Sequence, residues 1–329
     1  MRKFGLLVLS ILLLAMLVLP VSATLNIVST TSVLADPLEE IGGDNVNVLT
    51  VSDPGLCPNM QSDVIANIIQ MKQDFIRHAD LFVAHNGPID EYDIMPYVDR
   101  FMTANNYGNV TWLSPKDPYQ DWNTPSTAME LVTEEKGWLE QADPANTSYY
   151  EARYTDYIQK IAAENLTSDE KQTISGQDVI VMVWQQNAAQ DWLGLNVVAV
   201  FADDSYENGT ITPAKIVDDI NANPEKYENV KYVIENMQSG EMAKGIEEEL
   251  HAKGINATRV VFTNFPSSVS GVNSIPEVLA YNKQLVTPEG TTASSTTNAP
   301  SATTPAPLDC WCVIAGIGAA VLIARKRFY

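Results

Sequence analysis

The chain has 329 residues, 45% of them hydrophobic, and carries 41 Asp and Glu against 20 Lys and Arg, a formal charge of -21. A field of that sign, with no long Lys or Arg run outside the two termini, excludes nucleic acid and anionic lipid as natural partners. Of three cysteines, Cys57, Cys310 and Cys312, only the first lies away from the C-terminal end, so no disulfide framework holds the fold.

In chain order, residues 1–23 read as a secretory signal peptide: Arg2-Lys3, an apolar run over 4–19, then Pro20 and the small-residue site Val21-Ser22-Ala23. A β-branched run, Leu25-Asn26-Ile27-Val28-Ser29, is followed by a helical stretch to Ile41-Gly42-Gly43 and a strand at 46–51. Strand, helix and strand in that order predict a parallel sheet. The alternation continues with a helix over 62–78, a strand at 81–84, a helix over 92–105 and a strand at 110–113, which completes an N-terminal α/β lobe at 24–145. Tyr150, Tyr154, Tyr157, Ile158 and Ile161 then recur at helical spacing, so residues 146–165 are expected to form one long amphipathic linker helix. Strands resume at 179–183, 197–201, 232–234 and 259–262 in a C-terminal α/β lobe at 166–286. Two such lobes joined by a helix leave a cleft, and clefts of this kind bind ligands at the carboxyl ends of strands.

The chain then changes character. Residues 287–307 form a Ser/Thr/Pro stalk, 308–324 an apolar membrane segment, and 325–329 a basic tail with Arg325-Lys326-Arg327. The apolar segment is shorter than the roughly 20 residues of a comfortable span, and Gly316 and Gly318 weaken it as a membrane helix, so a retained anchor and a processed tail both fit. Stalk, short apolar segment and basic end resemble the C-terminal sorting signals of archaeal surface proteins, in which the tail is removed and a lipid replaces it. The expected location is the extracellular face of the cell membrane, exported and C-terminally anchored. Five triplets, at Asn109, Asn146, Asn165, Asn208 and Asn256, are candidate glycosylation sites.

Several short motifs stand in a particular order: Ile27-Val28-Ser29-Thr30-Thr31-Ser32-Val33-Leu34-Ala35-Asp36, Ile41-Gly42-Gly43-Asp44, Ser62-Asp63-Val64, Ala79-Asp80-Leu81-Phe82-Val83 leading to Asn86-Gly87, Asp117-Pro118, Trp122, and Asp143-Pro144-Ala145-Asn146 with Tyr149-Tyr150. In order and spacing they resemble substrate-binding proteins of ABC importers, in the zinc/manganese-type, TroA-like cluster. That resemblance implies two Rossmann-like lobes with parallel sheets joined by one rigid helix. It also implies partnership with a permease and its ATPase, and a divalent transition metal as cargo, held in the cleft by three His (one sometimes Glu) and one Asp.

At the positions where the resemblance places those ligands this chain has Asn59, Tyr119, Trp184 with Gln185, and Asn264. Neutral side chains do not neutralise a divalent ion as imidazole and carboxylate do, so a tight zinc site there is not expected. Substitute metal ligands are Cys57 and Met60, whose thiolate and thioether suit soft ions such as copper(I), and His85 at the end of a strand. In the plainer reading Cys57 and Met60 fill space and His85 is a loop residue. His78 and His251 fall on predicted helices. Tyr119, Trp184, Asn59 and Asn264 equally suit an aromatic-walled pocket for a neutral organic ligand. Phosphate loops, nucleophile elbows and His-Glu metalloprotease strings are not found, so neither catalysis nor a resident cofactor is expected. The functional readings are therefore an importer's binding protein with metal cargo, a degenerate relative with a neutral organic ligand, or a non-transport surface or adhesion protein.

Overall fold

A computed structural model describes residues 24–287, apart from 86, 88, 89, 118 and 205. The predicted signal peptide, the stalk beyond Thr287, the apolar segment and the basic tail lie outside the described residues.

Apolar runs too short for helices form strands, and helices between them cover the sheet faces. The first half runs β1 (Leu25–Ser29), α1 (Ser32–Gly42), β2 (Val46–Thr50), α2 (Ser62–Met71), α3 (Gln73–Ile76), β3 (Leu81–Val83), α4 (Met95–Ala104) and β4 (Trp112–Leu113). Two long helices follow, α5 (Pro125–Ala142) and α6 (Thr147–Ala162). The second half runs α7 (Ser168–Ile174), β5 (Asp178–Met182), β6 (Asn196–Phe201), α8 (Pro213–Ala222), β7 (Val230–Asn236), α9 (Lys244–Ala252), β8 (Thr258–Phe262) and α10 (Ile275–Leu285). Every named pair of strands is parallel, in two four-stranded sheets of order β2-β1-β3-β4 and β6-β5-β7-β8. Both sheets thus share one topology, with the strand order reversing between β1 and β3 and between β5 and β7, where open parallel sheets present a crevice.

The α/β reading with parallel sheets holds, and three local expectations are corrected. The helix expected over 62–78 is two helices broken at Lys72, and His78 lies in the turn after α3, with Nδ1 2.8 Å from the Asp74 carbonyl. The helix expected from residue 92 begins at Met95, after a wide turn over Asp90–Ile94; Pro96 in its first turn suits that start. The sequence reading gives no helix over Pro125–Ala142, because Glu130, Glu134, Glu135, Lys136 and Glu140 dilute its apolar stripe. Its start is nevertheless well marked: the Thr124 hydroxyl accepts from the Thr127 N–H at 3.2 Å, and Pro125 occupies the first helical position.

Helix α6 is embedded rather than exposed. Tyr150, Tyr157 and Ile161 are buried in one apolar cluster with Ile27 and Leu34 from the first half and Val179, Tyr232, Phe262 and Leu279 from the second. Polar ties fix its sides: Arg153 Nε donates to the Glu40 carbonyl at 2.6 Å, and the Tyr150 hydroxyl donates to Asp143 at 2.9 Å. Where α1 ends against α6, Gly43 has φ 53°, and a Cβ there would meet the Tyr149 hydroxyl, so only glycine fits.

Behind this helix lies a buried acid pair. Asp36 on α1, 7% exposed, accepts from the Tyr157 hydroxyl of α6 and, at 2.7 Å, from the Ile275 N–H that opens α10. One carboxylate thereby joins helices of both halves. Desolvation, opposed by those two donors, pushes Asp36 up to about 7. Glu135 on α5 is fully buried near it, neither of its oxygens has a hydrogen-bond partner, and burial pushes it well above the usual range.

Candidate functional site

The loops after the strand carboxyl ends of the two sheets meet in a polar seam. On the first side β1 runs into Ser29, Thr30 and Thr31, all buried. The Thr31 hydroxyl pairs with His85 Nε2 at 3.0 Å, while Asp90 accepts from the His85 N–H at 2.7 Å and from the Thr30 hydroxyl. Burial drives the two ionisable groups toward neutrality, lowering His85 to about 3 and raising Asp90 to about 7. The His85 ring stacks on Trp122, with centroids 4.5 Å apart, and Trp122 in turn faces Phe265 at 6.0 Å. An aromatic ladder so runs from the loop after β3 to the loop after β8.

Next to the ladder five residues close a hydrogen-bonded ring across the seam. Trp122 Nε1 donates to the Asn264 carbonyl at 2.7 Å. The side-chain oxygen of Asn264 accepts from Gln185 Nε2 at 2.5 Å. Trp184, the neighbour of Gln185, offers its carbonyl to Asn123 Nδ2 at 2.8 Å, and Asn123 is the neighbour of Trp122. Asp121, one residue earlier, accepts from Asn187 Nδ2 at 2.5 Å. Further out, Gln238 Nε2 donates to the Pro54 carbonyl at 2.9 Å and the Ser32 hydroxyl to the Pro266 carbonyl at 2.8 Å.

The residues predicted from sequence are dispersed around this seam. Cys57 precedes and Met60 ends the short turn Pro58–Met60, but Met60 is 79% exposed, and the thiol of Cys57 is pushed up by burial, which works against a thiolate. His85 belongs to the Thr31 and Trp122 contacts described above. Among the described residues no three His, Cys, Asp or Glu side chains are grouped to hold a metal ion. Asn59 and Tyr119 are exposed, Tyr119 by 84%; Trp184 is 41% exposed and meets Tyr206 edge-to-face at 5.6 Å. Of the five positions matching ligand sites, Gln185 and Asn264 are the two the structure joins directly. His251 is on α9, with Nε2 2.7 Å from the Ala257 carbonyl. Asn109, Asn165 and Asn256 are exposed and Asn146 is half-buried, while the Asn208 side chain lies outside the description.

Asp90, Asp121 and Asn123 escape the sequence reading. The available signal for the last two was the cap at Thr124 and Pro125, which marks residues 121–123 as the end of a loop pinned against a helix.

Two parallel sheets of one topology, a buried helix between them and polar loops that meet at the strand ends define a two-lobed, cleft-type binding protein. The chain belongs to the family described as ZnuA, zinc-uptake complex component A, periplasmic, which it matches over residues 27–282. Among solved structures it is similar to a crystal structure of ZnuA, at 17% identity and TM-score 0.57, covering 79% of this chain and 97% of that one. It is also similar to a manganese-bound periplasmic metal-binding protein from Candidatus Liberibacter asiaticus, at 16% and 0.57, covering 78% and 96%. The periplasmic zinc-binding protein TroA from Treponema pallidum matches at 12% and 0.58, covering 80% and 98%. At these identities the likeness carries the fold. Comparison with curated protein sequences finds no match.

Proposed function

We propose that this protein is the extracytoplasmic solute-binding component of an ABC importer of the metal-uptake class, working with a permease and its ATPase. The observation that carries the reading is the family match across residues 27–282, which spans both sheets and the helix between them. The N-terminal apolar segment supports export. The stalk, the apolar segment at 308–324 and the basic tail support attachment to the outer face of the membrane, with the exposed acceptor triplets as glycosylation sites. No helix among the described residues is long and apolar enough to cross a membrane. The test is uptake: disrupting the gene should abolish accumulation of radiolabelled manganese or zinc by cells starved of metal, and restoring the full chain should rescue it. Unchanged accumulation of both ions refutes the reading.

One observation favours a second reading. Gln185 and Asn264, at two positions that the family resemblance matches to ligands, form a neutral amide pair, and the ring of Trp184 next to Gln185 is exposed, an arrangement that also suits a neutral organic cargo.

A further inference from the structure

Away from the seam, a recess of about 650 Å³ opens among α1, the end of α6 and the start of α10, and so between helices of both halves. Its walls carry five carboxyl groups, Asp36, Glu39, Glu40, Glu164 and Glu277, against one amine, Lys160. No residue of the hydrogen-bonded ring lines it. Three of the carboxyls are already matched. Glu40 holds Lys160 at 3.1 Å, and that amine also lies over the Tyr157 ring, 5.9 Å from its centroid. Glu164 pairs with Lys283 at 3.1 Å, and Glu277 accepts from the Asn273 and Ser274 N–H groups that open α10. Asp36 and Glu39 have no ion pair among the described residues.

Asp36 is the deepest of the five. It is 7% exposed, and both of its donors, the Tyr157 hydroxyl and the Ile275 N–H, reach the same oxygen, Oδ2, which leaves Oδ1 to the recess that Asp36 lines. Behind it Glu135 is fully buried with both oxygens bare, a second carboxyl whose ionisation the Asp36 charge opposes. Buried carboxylates without a cation are costly, and a cation placed in the recess beside Asp36 relieves that cost.

The spacing of the acids selects the kind of cation. Among the described residues no three His, Cys, Asp or Glu side chains are grouped to hold a metal ion, so these carboxyls do not converge on one point. The volume is that of a small-molecule site, and the remaining wall includes Ala163, Pro276 and Ala280. Separated carboxylates with apolar surface among them complement a methylene chain that carries several ammonium groups, its stem against carbon and its charges on oxygen. We propose that this recess binds an aliphatic polyamine, with one ammonium on Asp36 Oδ1 and another on Glu39. The site is separate from the strand-end cleft and independent of the importer reading.

An ammonium on Asp36 favours the ionised carboxylate, which burial otherwise holds back until about pH 7, so binding below that pH expels a proton. The groups that face Asp36 are Glu39 and Glu40 on its own helix, Tyr157 and Lys160 of α6, Glu135 of α5, and Glu277 with the Ile275 N–H on α10.

The test is calorimetric titration of the full-length chain with spermidine in about 0.15 M salt, which screens the diffuse attraction of an acidic surface. One molecule should bind per chain, more tightly at pH 8 than at pH 6, with a proton released at pH 6. Glu39→Lys, at an exposed position where cooperative urea unfolding should be kept, should lower the affinity roughly tenfold or more. Asp36→Asn should lower it as well and flatten its pH dependence. Glu248→Gln, which removes an exposed carboxylate of α9 outside the recess, should leave it unchanged. Binding at several places that Glu248→Gln and Glu39→Lys weaken equally overturns the site, reducing it to the field of the whole surface. Binding indifferent to Glu39→Lys, displacement of spermidine by equimolar magnesium, and absence of binding each overturn it too. None of these results touches the importer reading, which is decided by metal uptake.

Discussion

Asp36→Asn tests the buried acid pair behind the linker helix. An ordinary Asp carboxyl titrates at 3.8 and Asp36 in the folded chain at about 7, chiefly because burial strips water from it, with Glu40 and Glu39 adding repulsion. Between those values the folded state holds a proton that the unfolded chain has lost. The stability that this group permits is therefore complete below pH 4, declines through the window from 3.8 to about 7, and levels off above it. A gap of about three units, at 1.36 kcal/mol per unit, gives a decline of about 4 kcal/mol. Asparagine keeps a carbonyl oxygen for the Tyr157 hydroxyl and the Ile275 N–H but does not ionise, so the variant lacks this decline. Glu39 and Asp90 titrate in both proteins and cancel in the difference, while Glu135, which the Asp36 charge raises further, is relieved in the variant and acts in the same direction. Urea unfolding at pH 4.5, where about a quarter of the decline has already occurred, and at pH 8 should show the two proteins diverging by about 3 kcal/mol, with the asparagine variant relatively more stable at the higher pH and m unchanged. Parallel pH dependence would refute the assignment of this proton to Asp36.

Three further outcomes follow from the same contacts. Glu135→Leu should stabilise the fold by about 1–3 kcal/mol, because it replaces a fully buried carboxyl whose oxygens have no partner; a lower urea midpoint would show that the carboxyl has one. Trp122→Phe keeps a ring against His85 but removes the 2.7 Å bond to the Asn264 carbonyl, costing about 1 kcal/mol and speeding hydrogen exchange at residues 263–265; unchanged exchange there would mean that the ladder alone holds the seam. Cys57, half-buried with its thiol pushed up, should react with iodoacetamide at pH 8 more slowly than free glutathione, and fast labelling would contradict that burial.

Much of the fold is visible in local chemistry. The runs Ile27-Val28 and Val179-Ile180-Val181 are too short and too β-branched to be anything but buried parallel strands, and the tyrosines of α6 announce their own helical face. Helix α5 is hidden because five charged residues crowd its apolar stripe, and the feature that reveals it, the Thr124 and Pro125 start, needs to be weighed ahead of periodicity. The seam is less visible for a different reason. Asn264 and Gln185 are placed by family spacing, yet their bond spans 79 residues, and the Trp122 contact to Asn264 spans 142. Asp121-Trp122-Asn123 forms no motif; its role emerges only when three distant loops are folded together. Cys57 and Met60 are close in sequence, but their different exposures depend on how one short turn lies on the surface.

The apolar cluster around α6 has a mechanical consequence. Since Tyr150, Tyr157 and Ile161 share one interior with strands of both sheets, a wide opening of the two halves would have to tear that interior apart, exposing side chains that are now dry. Access for a solute is then governed by the loops at the strand ends, small gates set in a stiff frame, and exchange of cargo with the medium is paced by local loosening there instead of by a swing of whole lobes.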